Sequence, residues 1–173
     1  MDFSLSADQE LLKKEVKRFL KNECPKELIR ELEAGDLGYS PEIWKKTAAL
    51  GWQGLIIPEA YGGMGGGARD SCEVTREMAK ICLGVGTAFF AIQLGSDPIV
   101  VGGTQAQKEK WLGAITAGTS LVAYAVTEAG AGSNLAALKT KADPVVDDSD
   151  NVVGYRINGT KQFISTGGYA DFV

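Results

Sequence analysis

A chain of 173 residues with 45% apolar and 23% charged side chains has the make-up of an ordinary globular protein and excludes extended disorder. Its 22 acidic and 18 basic residues leave a net charge of -4, and neither sign is gathered into a block, which argues against nucleic acid as the main partner. No histidine is present and Cys24, Cys72 and Cys82 lack C-x-x-C spacing, so neither a zinc site nor a histidine-dependent nucleophile can be assembled.

The first residues carry no basic segment followed by an apolar one, and no apolar run approaches the ~18 residues of a membrane span. A cytoplasmic protein with reduced, packing cysteines and no membrane partner is expected. Ser6 and Gln9 form a capping box, after which Leu12, Val16, Phe19 and Leu20 recur at helical spacing as far as Pro25. A second helix is expected over 26–34, stopped by Gly35, and a third from Ser40-Pro41 to Gly51. Gly62-Gly63-Met64-Gly65-Gly66-Gly67 follows no strand and lacks the full dinucleotide fingerprint, so it reads as a flexible interhelix loop. Asp70 and Glu73 open a fourth helix.

Val85 to Leu94 has no polar face, which predicts a helix buried on most sides at the centre of a bundle. Ser96-Asp97-Pro98 should break it and start a short helix. Thr104 with Gln107 makes another capping box, before a helix that holds Trp111, Leu112 and Ile115 and ends near Gly118.

From Ser120 the period changes to that of strands. Leu121 to Thr127 is a short apolar run, Lys139 to Val146 reads as a strand, and Val153, Tyr155 and Ile157 alternate with more polar neighbours. Asn158-Gly159 is the strongest hairpin signal and predicts pairing of 152–157 with 160–165, while Asp147 to Asn151 reads as a second, polar turn. The fold class is therefore α+β: an all-α helical bundle over 1–119, followed by an incomplete antiparallel β-domain over 120–173. The chain ends in what reads as the start of another strand, so truncation of that domain is expected.

Thr127-Glu128-Ala129-Gly130-Ala131-Gly132-Ser133-Asn134 follows a strand and combines glycines, hydroxyls and successive backbone N–H groups. Such a turn can hold a phosphate or the electron-rich edge of a ring, or serve only as a turn. The run Ala125 to Ser133, followed by Lys139-Thr140-Lys141-Ala142 and by Asn158-Gly159-Thr160-Lys161-Gln162-Phe163-Ile164-Ser165, closely resembles the acyl-CoA dehydrogenase family in order and spacing. Leu50-Gly51-Trp52 and Pro58 to Gly63 extend the resemblance upstream, so that it covers essentially the whole chain.

The resemblance implies an FAD-dependent oxidoreductase of fatty acid metabolism. A carboxylate base takes the α-proton of an acyl-CoA thioester while the β-hydrogen passes as hydride to flavin N5. It also implies electron-transfer flavoprotein as the acceptor and a homo-oligomer, dimer or tetramer, for the full-length protein. By the same resemblance Tyr124, Val126 and Thr127 would bond the pyrimidine edge of the flavin. Gly132 and Ser133 would approach the FAD pyrophosphate, with Ser133 also on the coenzyme A side, and Phe163 to Ser165 would lie along the ring. Glu128 looks like a group that fixes the loop. No glutamate of this chain is assigned as the catalytic base, which the resemblance places in a later segment, so these residues alone are expected to be inactive.

Four residues depart from the family pattern: Ala129 stands for proline, Asn134 for aspartate, Phe163 for tryptophan and Ser165 for threonine. Two other readings are an acyl-CoA oxidase-like flavoenzyme on the same scaffold, and a non-catalytic helical interaction module. The Gly-Ala-Gly run leans to the dehydrogenase, and the retained 127–133 loop opposes a pure scaffold.

Overall fold

The computed structural model describes residues 4–173. Helix α1 (Ala7–Glu23) starts at the expected capping box: Gln9 N–H donates to Ser6 Oγ at 3.2 Å and Ser6 N–H donates to Gln9 Oε1 at 3.1 Å. Helices α2 (Lys26–Ala34) and α3 (Pro41–Ala49) follow, α3 capped by Ser40 with proline at its first position. Helix α4 (Ala68–Ile81) begins slightly before the acidic pair that announces it, because Asp70 turns back to accept from Gly67 N–H at 2.7 Å. Gln9 donates to the other oxygen of Asp70 at 3.0 Å, which ties the start of α1 to the start of α4.

Helix α5 (Leu83–Gly102) departs from expectation in three ways. It runs unbroken through Pro98, where a break was expected. Packing decides this: before the proline Gly86 lies close against Ala79 of α4 and Gly95 against Val122, and after it Ile99 and Val100 pack on the core, so the helix is held on both sides of Pro98. It is also not buried on most sides, because Leu83, Phe90, Leu94 and Val101 are exposed while Phe89, Ala91 and Ile92 are buried. At 20 residues it is long and apolar enough, by length and composition alone, to cross a membrane, which corrects the expectation of no such run. A core helix of a bundle passes the same test, and α5 rests on α4.

Helix α6 (Gln105–Gln107), capped by Thr104, continues through a π-helical turn (Lys108–Leu112) into α7 (Gly113–Thr116). The core gathers Val16 and Leu20 of α1, Trp52, Leu55 and Ile57 of the α3–α4 connection, Val74 and Met78 of α4, Phe89 and Ile92 of α5, and Leu112 and Ile115. Each such side chain contributes about 1.5–3 kcal/mol on burial, so the bundle is the stable part of the molecule.

The glycine run between α3 and α4 is a closely bonded layer and not the flexible loop expected. Met64, Gly65 and Gly66 donate backbone N–H groups to Gly54, Ile57 and Leu55 carbonyls at 2.8–2.9 Å. A Cβ on Gly63 would sit 1.9 Å from the Ile57 carbonyl oxygen, so only glycine lets the two backbones meet.

Strands β1 (Lys141–Val146) and β2 (Val152–Asn158) form a two-stranded antiparallel sheet, in register from Lys141 opposite Asn158 to Val145 opposite Gly154, with a one-residue shift before Val146 meets Val152. Its turn is therefore Asp147 to Asn151, and the hairpin expected at Asn158-Gly159 is corrected. Asp147 Oδ1 accepts from Ser149 and Asn151 N–H at 2.9 Å each, and Asp150 takes φ 61°, so this aspartate-rich segment builds a self-contained turn. Gly159 has no positive φ; its role is a close pass, since a Cβ there would lie 2.1 Å from Thr140 Oγ1. The last residues return to the bundle. Ala123 N–H donates to the Phe172 carbonyl at 3.1 Å, Val122 and Phe172 form a parallel bridge, and the Phe172 ring rests on Trp111 at 4.5 Å between centroids.

Candidate functional site: the loop between Val126 and Asn134

The segment after Leu121 runs extended from the buried pair Val122 and Ala123 and then reverses in a tight turn. Glu128 N–H donates to the Ala131 carbonyl and Ala131 N–H to the Glu128 carbonyl, both at 3.0 Å. The Glu128 side chain, 8% exposed, holds this turn to two other segments. It accepts from the Lys139 N–H at 2.8 Å, from the Thr140 N–H at 2.9 Å and from the Thr140 hydroxyl, and it pairs with Lys161 Nζ at 2.9 Å. Those donors, the Thr140 hydroxyl foremost and then the Lys139 amide, hold its carboxyl down at about 2. A carboxylate so stabilised is a poor proton acceptor near neutral pH and an effective clamp.

With Glu128 and Ala131 spent on the turn, the amides of Gly130, Gly132 and Ser133 have no hydrogen-bond partner among the described residues, and all three residues are exposed. A Cβ on Gly130 or Gly132 would meet nothing within 4 Å, so the fold itself does not require glycine at either place. Small residues with free, outward amides fit the close approach of an anionic or electron-rich group.

The other sequence-selected residues lie along the same chain path. Tyr124 is 44% exposed. The Val126 carbonyl accepts from Lys161 Nζ at 2.9 Å and the Thr127 carbonyl from Gln162 N–H at 3.0 Å, so the 161–162 segment is laid directly on 126–127. Phe163, the next residue, has φ 58° and is 86% exposed, so it takes no part in the core. Ser165 is exposed, and its carbonyl accepts from the Thr166 hydroxyl at 2.6 Å, which also reaches the Val122 carbonyl at 3.2 Å. The fold thus joins Val126 and Thr127 to the residues flanking Phe163, and puts Gly132 and Ser133 on the turn that begins at Thr127. Lys161 is the residue that sequence reasoning passed over. Its signal was a lone cation in an otherwise neutral motif, opposite the single acid of the neighbouring motif.

The helical bundle and the segment after it each match a family description: "Acyl-CoA dehydrogenase, N-terminal domain" over residues 6–119 and "Acyl-CoA dehydrogenase, middle domain" over 123–173. The chain belongs to the acyl-CoA dehydrogenase family. Among curated relatives it is 38% identical over 170 residues to acryloyl-CoA reductase (NADH) of Anaerotignum propionicum, covering 98% of this chain and 42% of that one. Its fold superposes on an acyl-CoA dehydrogenase of Bacillus anthracis solved in complex with FAD at TM-score 0.84 and 31% identity, over 98% of this chain and 28% of that one. Butyryl-CoA dehydrogenase of Megasphaera elsdenii gives 0.82 and 32%, over 99% and 44%. The chain spans 40–43% of the length of the curated relatives it matches.

Proposed function

We propose that these residues form the flavin-facing wall of an FAD-dependent acyl-CoA dehydrogenase, an oxidoreductase that removes hydrogen from the α and β carbons of an acyl-CoA thioester. One observation carries the reading: the Gly130–Ser133 turn is fixed from behind by Glu128 and Lys161 while the amides of Gly130, Gly132 and Ser133 have no partner among the described residues. The FAD complex of the Bacillus anthracis relative and the butyryl-CoA dehydrogenase likeness support it. The chemistry FAD supplies when bound is acceptance of a hydride at N5.

In this reading Tyr124, Val126 and Thr127 present backbone groups and one hydroxyl to the pyrimidine edge. Gly132 and Ser133 offer amides to the pyrophosphate, Ser133 faces the coenzyme A side as well, and Phe163 and Ser165 cover the ring. Donors fixed before the reaction need no reorganisation when negative charge develops on the ring, which is the main electrostatic benefit of such a wall. None of these residues is a base. Among the described residues the two buried carboxylates, Glu77 and Glu128, are both held below the usual carboxylate range, Glu77 against the opposing effect of burial by Lys80, Lys17 and Arg76. A base working near neutral pH needs the opposite shift.

The acceptor proposed for the whole protein is electron-transfer flavoprotein, its state a homo-oligomer and its location the cytoplasm, with the helical and β portions meeting at residues 119 and 120. The test is a titration of the chain with FAD, followed by flavin fluorescence, and then addition of butyryl-CoA. Weak saturable binding without turnover is the expected result. Steady turnover by these residues, or no flavin binding at any concentration, would overturn the reading.

A further inference from the structure

A cavity of about 450 Å³ lies within the helical bundle and is lined by none of the flavin-loop residues: no residue beyond Phe89 lines it. Its floor is made by Cys24, Gln53, Met78 and Phe89, all buried, and its mouth is edged by Glu33, Gly38 and Gly84, all exposed. Interiors of natural bundles are close-packed, with few voids larger than a water molecule, so a space of this size is not ordinary packing error. Volume and an apolar wall with a few polar groups are what small-molecule pockets share.

A second observation points to a ligand. Gln53, 2% exposed, donates through Nε2 to the Trp44 carbonyl at 3.0 Å and to Thr47 Oγ1 at 2.7 Å, both on the cavity wall. Its carbonyl oxygen, buried as well, has no hydrogen-bond partner among the described residues. An acceptor stripped of water and left unpaired destabilises the fold, and a donor brought by an occupant would reverse that cost. Charge narrows the occupant further. The Glu33 carboxylate at the mouth repels anions, and burial, with Glu23 and Cys82 adding to it, pushes the Cys24 thiol up, so the floor stays neutral.

We propose that this cavity binds a neutral, apolar small molecule bearing one hydroxyl, its body against Ile29, Leu32, Ile43, Val85 and Phe89 and its hydroxyl donating to Gln53 Oε1. The occupant is of the fatty-alcohol kind and is separate from any acyl thioester handled by the flavin loop.

The cysteines supply the assay. Cys82 lines the cavity, Cys72 is exposed on α4 outside it, and Trp44 is on the wall. Octan-1-ol titrated into the full chain should change tryptophan fluorescence saturably. It should slow alkylation of Cys82 by iodoacetamide at least about three-fold while leaving Cys72 unchanged, with the two read separately by mass spectrometry. Its methyl ether, which cannot donate, should bind about five-fold more weakly, the worth of one neutral hydrogen bond, and octanoate more weakly still. Ala88→Phe fills the space and should abolish binding with helical circular dichroism intact, and Gln53→Met should erase the preference for alcohol over ether. If Gln53→Met fails to fold, the alcohol-to-ether ratio of the wild type and Ala88→Phe decide. Absence of saturation, equal protection of Cys72 and Cys82, an ether that binds as well as the alcohol, or wild-type binding by Ala88→Phe would each overturn the proposal.

Discussion

Two glycine-rich segments of this chain use glycine for opposite purposes. In Gly62 to Gly67 the N–H groups of residues 63–66 are donated to carbonyls of residues 54–58, and Gly63 is glycine because the Ile57 carbonyl oxygen occupies the place of its side chain. In Gly130 to Ser133 the amides of Gly130, Gly132 and Ser133 have no partner among the described residues, and the space where a Cβ would go on either glycine is empty. The first is glycine for the protein's own backbone. The second is glycine for something outside it. Composition cannot separate the two, since both read as G-rich loops, but the destination of each N–H does.

The contrast can be broken by substitution. Gly63→Ala must displace backbone, not a flexible side-chain tip, and should cost about 3 kcal/mol, the upper range for overpacking, in urea unfolding followed by tryptophan fluorescence. A cost below about 0.5 kcal/mol would show that the loop yields and that the close contact is not a constraint.

The clamp behind the second loop gives a smaller and more local effect. Glu128 titrates at about 2 when folded against an ordinary 4.5, so its contribution is complete above about 4.5 and is lost as pH falls towards 2. The sign follows from proton count: in that window the unfolded carboxyl binds a proton that the folded one refuses, so acid favours opening. Amide exchange at Lys139 and Thr140 should lose protection over this range, and Glu128→Gln should show the same loss already at pH 7. Protection that does not change with pH, or that survives Glu128→Gln, would remove the clamp from the account.

Smallest of all should be Gly130→Ala, where the added methyl meets nothing within 4 Å. Stability should stay within about 0.5 kcal/mol of wild type, or rise slightly because the unfolded chain loses freedom.

Much of this architecture was legible because it rests on local signals. Ser6 with Gln9, Ser40-Pro41 and Thr104 with Gln107 each mark a helix start that the structure keeps, since a cap is decided by residues three apart. What failed depended on distant partners. Pro98 did not end α5, because α4 and Val122 hold the helix before it and the core holds Ile99 and Val100 after it, and none of these partners is visible in the sequence around the proline. Asn158-Gly159 carried the strongest turn pattern yet forms no hairpin, because Asp147 closes a competing turn with its own side chain and Thr140 presses against Gly159. The candidate site was legible as a motif, and Glu128 as its fixing group. Lys161 was not, because its value comes from meeting Val126 and Glu128 across more than thirty positions.

The most direct test of the central claim, that the 130–133 turn is shaped for a ligand and not for the fold, is Gly132→Val compared with wild type in two assays at once. The account predicts unchanged thermal unfolding, because Gly132 is exposed and a Cβ added there meets nothing within 4 Å, together with at least about a ten-fold loss of FAD affinity by flavin fluorescence. Equal FAD binding by the two proteins, or a loss of affinity that merely tracks a loss of stability, would contradict it.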